Sequence, residues 1–164
     1  MTKSTDHLES MVKRVLRLGI RADYILMDSW FCFPALLATL GQHLPVICMA
    51  KDMPKVFYKH KGQWVKLSKL YSLLRKRPGK AKILTSVVTE TRKGQKVKIV
   101  FVRHRHKKRQ WLAILSTRID LPDEEIVRIY EEAITPKTKI ILVTHLNNIT
   151  GPSALIKADQ TSES

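Results

Sequence analysis

Asp28 stands directly after the unbroken apolar run Tyr24-Ile25-Leu26-Met27, and that position suggests chemistry. Four such residues read as a strand buried on both faces. A carboxylate at the carboxyl end of such a strand sits where α/β sheets present ligands. The same position suits a second role, capping the next helix, with Ser29 an equally good cap. Both readings stay open on the residues alone. Cys32 and Cys48 fall in apolar surroundings and read as inert core thiols. His104 and His106 put both rings on one face of a strand, as a zinc pair would. Lys98, Arg103, Arg105, Lys107, Lys108 and Arg109 surround them and repel a divalent cation, so phosphate contact is the better reading.

That cationic cluster belongs to a larger asymmetry. The 164 residues carry 30 Lys and Arg against 14 acids, a formal charge of +16. Residues 51–111 hold 20 of the cations and two of the acids, Asp52 and Glu90, which leaves 10 cations and 12 acids elsewhere. The whole excess comes from one central segment. A field of that sign and density fits a polyanion, a nucleic-acid backbone first of all. A merely solubilising surface would mix its signs, and no basic amphipathic helix accompanies the charge to suit an anionic membrane. Arg75-Lys76-Arg77 offers phosphate contacts or a solvated turn before Pro78-Gly79, and the sequence does not separate the two. Phe57, Tyr58, Trp64, Tyr71 and Trp111 interleave with the cations. They suit stacking on unpaired bases, although half or more of them fit the small core of a β unit.

An apolar share of 44% excludes general disorder. Runs such as Ile140 to Val143 are too short to span a bilayer, and the first residues hold no apolar signal segment. Two cysteines make neither a disulfide framework nor a four-thiolate zinc site. The expectation is one soluble, cytoplasmic domain with no membrane partner.

The elements that must position these residues follow from periodicity. Asp6 and Glu9 form a capping-box pattern ahead of Leu8, Met11, Val12, Val15 and Leu16, with Gly19 as the stop. After the Tyr24–Met27 strand, Pro34 opens a helix through Leu40, Gly41 ends it, and Val46 to Ala50 is a second buried strand. Helix, strand, helix, strand predicts an α/β layer with parallel strands. Beyond Lys51, strands are expected at 64–67, 83–89, 97–102 and 111–115, with turns at Gly62, Pro78-Gly79 and Lys93-Gly94; 67–74 could instead be a short helix. The picture is a basic, mostly antiparallel β subdomain, about residues 51–118, inserted after an α/β core. Residues 159–164 read as a frayed tail.

The stretch Ala22-Asp23-Tyr24-Ile25-Leu26-Met27-Asp28-Ser29-Trp30-Phe31 resembles the second acidic motif of DDE transposases of the insertion-sequence-four group. The likeness continues through the Val46 strand, Phe57-Tyr58 to Gly62, Val97 to Arg103 with its Arg-His-Arg cluster, and Leu112 to Thr117. It fades near Asp123 to Tyr130, so a transposase-like unit is assigned to residues 1–130. The resemblance implies a partial ribonuclease H-like core. In the family, three carboxylates hold two divalent metals, Mg2+ or Mn2+, for in-line phosphoryl transfer on DNA. By that match Asp28 is the catalytic and metal-binding acid; the charge pattern makes Arg75, Lys76, Arg77, Arg103, His104, Arg105, Lys107, Lys108 and Arg109 the candidate DNA contacts.

Two expected partners of Asp28 do not match. The acids before it are Asp6, Glu9 and Asp23, and none follows a buried strand. In the family's Tyr-x-x-Arg-x-x-x-Glu pattern, Tyr130 is followed by Ala133 and Lys137 in place of Arg and Glu. The expectation is a truncated transposase, inactive alone, with a small non-enzymatic nucleic-acid-binding protein as the alternative. Residues 131–158 form a second unit. Ala133 to Lys139, then Ile140 to Gly151 with its His145-x-x-Asn148-x-x-Gly151 turn, look like class V aminotransferases and cysteine desulfurases. By that likeness Asn148 matches a residue near pyridoxal phosphate. No Schiff-base Lys, Asp partner or phosphate cup accompanies it, so Ile140–Val143 is read as a plain buried strand.

Overall fold

Apolar residues at helical spacing dock the first helix. In the computed structural model, α1 spans Thr2–Arg17, burying Leu8 and Val12 while Met11, Val15 and Leu16 pack beside them. The structure describes residues 2–19, 22–29, 32–104, 106–107, 109–133, 140–143 and 155–158. Gly19 ends the first helical segment at φ +86°, a left-handed conformation that glycine adopts without steric cost. The capping box does not form. The helix starts four residues ahead of Asp6, which leaves Asp6 inside the hydrogen-bonded ladder. Glu9 turns instead to His43 and Lys13, with Oε2 3.2 Å from His43 Nε2 and 3.5 Å from Lys13 Nζ one turn on.

Two apolar runs then build the middle of a sheet. Strands β1 (Tyr24–Met27) and β2 (Val46–Ala50) pair in parallel, with Ile25 beside Val46 and Met27 beside Cys48. The crossover between them contains α2 (Pro34–Leu40), opened by its proline and burying Leu36, Leu37 and Leu40. Gly41 ends it for a reason other than a left-handed turn: its φ is −63°. A Cβ there would lie 2.6 Å from Gln95 Nε2 and 2.7 Å from the Leu37 carbonyl, so close approach demands the glycine.

The basic segment is antiparallel throughout, yet most of it joins that same sheet. β5 (Ile83–Glu90), β6 (Lys96–Arg103) and β7 (Trp111–Ser116) form a meander, and β7 pairs antiparallel with the open edge of β2. Residues of β6 and β7 are apolar on both faces, so they suit a sheet covered on both sides better than a freestanding subdomain. Among the described residues, β3 (Tyr58–His60) and β4 (Gln63–Val65) alone make a separate hairpin. It leans on β5 through a Tyr58–Thr91 bridge and the Thr89 hydroxyl, which donates to the Lys59 carbonyl. Residues 67–74 take the helical alternative, as α3 (Leu67–Leu73).

Helix α4 (Asp123–Ala133) follows, then β8 (Ile140–Val143) and β9 (Leu155–Ala158). β8 pairs antiparallel with β1, and β9 with β8, giving a seven-stranded sheet in the order β5-β6-β7-β2-β1-β8-β9. The result is a mixed α/β fold with a mostly antiparallel sheet. One face packs under α1 and α2; Ile126, Val127, Ile129 and Tyr130 of α4 cover the other. Among the described residues, no helix is long and apolar enough to cross a membrane. The tail 159–164 and the turn holding His145 and Asn148 lie outside the described residues.

Candidate nucleic-acid interface

Register decides which loops share an end of the sheet. Met27 of β1 lies beside Cys48 of β2, and Ala50 of β2 beside Ala113 of β7. Arg103 of β6 faces Trp111 of β7, and Ile83 of β5 faces Val102 of β6. The carboxyl ends of β1, β2 and β6 therefore gather with the amino ends of β5 and β7. Asp28 leaves from this end, the turn 104–110 joins β6 to β7 there, and the segment 74–82 enters β5 there. Strands β1 and β6 are three places apart, about 14 Å at ordinary strand spacing, so one polymer segment can reach across both.

Asp28 is half-buried at the top of β1. It does not cap α2, which takes Phe33 as its N-cap. Burial, contact with Cys32 and the nearby charge of Asp28 together push the Cys48 thiol up, which keeps it protonated and inert. Burial first, then the same charged neighbourhood, also pushes the Tyr130 hydroxyl up. That hydroxyl donates to the Met27 carbonyl at 3.0 Å, pinning α4 under the strand end. Among the described residues, no three His, Cys, Asp or Glu side chains gather to hold a metal ion. The described residues around Asp28 supply no donor set for a two-metal centre.

The cations divide by what holds them. Arg103 is fixed inside the protein: Nη2 donates to the Gly79 carbonyl at 3.1 Å and Nε to Ala81 at 3.3 Å. The Arg103 main-chain N–H donates to Lys82, and Arg77 N–H to Leu84, so the segment 77–82 is stitched to β5 and β6. Arg77 carries its guanidinium 3.0 Å from Asp123 and 3.6 Å from Glu124. Lys76 lies 4.3 Å over the Tyr71 ring, a cation–π contact, and Arg75 is exposed. In the turn, His104 Nδ1 accepts from the main-chain N–H groups of His106 and Lys107 at 3.1 and 3.2 Å. That nitrogen organises the turn and so is taken from any phosphate. Lys107 and Arg109 are exposed; Arg105 and Lys108 lie outside the described residues.

The aromatic residues sort cleanly. Tyr71, Phe101 and Trp111 form one cluster, Tyr71 stacked on Trp111 at 4.7 Å, and Tyr58 is fully buried. These are core. Phe57 and Trp64 sit instead under Arg92, whose guanidinium lies 4.4 and 5.4 Å from their rings.

Sequence reasoning missed the node behind this end, Asp123. Its carboxylate accepts from Lys98 at 2.8 Å, Ser86 at 2.7 Å and Arg77 at 3.0 Å. Burial alone would raise it, but the Lys98 and Ser86 hydrogen bonds and the Lys98 and Arg77 charges hold it below the usual carboxylate range. An acid directly after a proline at the start of an amphipathic helix was the available signal.

No family model, curated protein or solved structure matches the chain.

Proposed function

We propose that this chain is part of a DDE transposase of the insertion-sequence-four group, which binds DNA through the cationic sheet end and does not cleave it unaided. One coincidence carries the reading. Asp28 stands at a strand end and Arg75–Arg77, Arg103, Lys107 and Arg109 in the basic segment, and the strand registers bring the ends that carry them together. The parallel β1–β2 pair with Asp28 at its carboxyl end is compatible with a partial ribonuclease H-like core. In the family that acid works with two others on paired metals; among the described residues no such set gathers.

A second reading is a non-enzymatic nucleic-acid-binding protein that uses the same cationic surface. Two measurements test these readings. Binding of a labelled DNA duplex should weaken steeply with salt, with a log–log slope of about −4.5 if about five phosphates are neutralised. A flat response would remove both readings. Plasmid nicking in Mg2+ or Mn2+ should be absent; nicking abolished by Asp28→Ala would establish a working metal site and overturn the claim of inactivity.

A further inference from the structure

Helix α4 presents five acids in eleven residues against the cationic end. Arg128, on the same helix, occupies two of them, reaching Glu125 at 2.6 Å and Glu132 at 3.2 Å. The other three reach cations of the sheet and of the segment entering β5. Asp123 holds Lys98 and Arg77, Glu124 reaches Arg77 at 3.6 Å, and Glu131 pairs with Lys82. Glu124, Val127 and Glu131 recur at helical spacing, so these contacts lie along one stripe of α4. Between the stripe and the segment 77–83 runs a cleft of about 500 Å³, lined by Ala81, Ile83 and Val127 as well as by these charges.

The contacts fall into two tiers by exposure. Asp123 and Lys98 side chains are 10% and 17% exposed, and the Lys98 ammonium also donates to the Leu121 carbonyl at 2.9 Å. That pair is a fixed anchor. Arg77 and Lys82 are 46% and 56% exposed, and Glu124 is 71% exposed. Ion pairs in water at that exposure are weak and exchange readily. A phosphate brought to Arg77 or Lys82 meets a carboxylate already there, and the two anions compete for one cation.

We propose that α4 is a built-in competitor of nucleic acid: Glu124 and Glu131 occupy Arg77 and Lys82, and a phosphate backbone must displace them to engage this end. The inference rests on the DNA-binding reading above. Asp123 keeps α4 in place during the exchange, so the helix is neutralised or displaced locally rather than unfolded. The acidic helix thereby sets how tightly the strongly basic segment grips any polyanion, which restrains unspecific binding.

The test is a coupling measurement on the full chain with a labelled DNA duplex at fixed salt. Glu124→Gln with Glu131→Gln keeps shape and removes both competing charges; affinity should rise about three- to tenfold. Glu90→Gln with Asp120→Asn makes the same change in net charge at the far end of the sheet and should change affinity less than about twofold. In an Arg77→Gln, Lys82→Gln background, the Glu124 and Glu131 substitutions should lose their effect. Equal gains from both acid pairs, or a gain that survives in that background, would overturn the competitor role while leaving DNA binding intact. Absence of binding by the parent chain and all variants would remove both ideas. All four acids and both cations are at least partly exposed, and single Glu124→Gln and Glu131→Gln variants give the same readout at lower amplitude.

Discussion

The Tyr130 hydroxyl donates a 3.0 Å hydrogen bond to the main-chain carbonyl of Met27, the residue before Asp28. One bond thus links the helix that carries the acids to the strand that ends in the candidate carboxylate. Tyr130→Phe keeps the ring and deletes the donor. Stability should fall by about 1 kcal/mol, read as a lower urea midpoint with an unchanged slope. An unmoved midpoint would mean the bond contributes nothing net.

Asp123→Asn should be more damaging, by about 2 kcal/mol, because it leaves the Lys98 ammonium short of its anionic partner in a poorly solvated place. The carboxyl is held below its ordinary value of 3.8, against burial, by its hydrogen bonds and neighbouring charges. Its stabilisation is therefore complete above that value and lost as pH falls below it. Acid titration of the urea midpoint should show a shallower decline in the Asn variant than in the parent. Parallel acid limbs in the two proteins would refute this assignment.

Alkali should unfold the protein through its buried phenols. Burial is the leading cause raising Tyr24, Tyr58 and Tyr130 above the ordinary value of 10.0. The folded chain then keeps protons that the unfolded chain releases, so stability is full below pH 10.0 and declines as pH rises past it. Urea midpoints taken from about pH 8 to about pH 11 should bend downward near the upper limit. The Tyr58→Phe, Tyr130→Phe double variant should bend less; an identical bend would assign the loss to other groups.

The exposed cations should behave additively and Arg103 should not. Replacing Arg75, Lys107 or Arg109 by Gln should each reduce the steepness of the salt dependence of DNA binding by about 0.9. Arg103→Gln removes two bonds to the 79–81 carbonyls as well as a charge. It should lower thermal stability along with affinity, whereas the three exposed variants leave melting unchanged. Equal melting temperatures for all four would contradict the stitching role of Arg103.

What the sequence made legible was local. The Tyr24–Met27 and Val46–Ala50 runs, Pro34, and the glycines at 62, 79 and 94 each reveal their own conformation, because burial and turn geometry act over a few residues. Pairing over distance was not legible. Ala50 meets Ala113, and β8 meets β1, through contacts that no short-range pattern specifies, so an expected insertion turned out to extend the central sheet. The candidate site divides the same way. Asp28 at a strand end could be read directly; the fate of Arg77 could not, since its partner Asp123 lies 46 positions away. Asp6 misled because a capping pattern states where a helix can start, and the backbone here was already helical.

Pairing of β8 with β1 has one more consequence. With β2 along one flank and β8 along the other, the strand that leads to Asp28 has no vacant seat for a further strand. A peptide strand added in trans beside β1 would first have to evict Ile140–Val143. Strand exchange at β1 is thus opposed at the level of the backbone, before any question of side-chain chemistry arises.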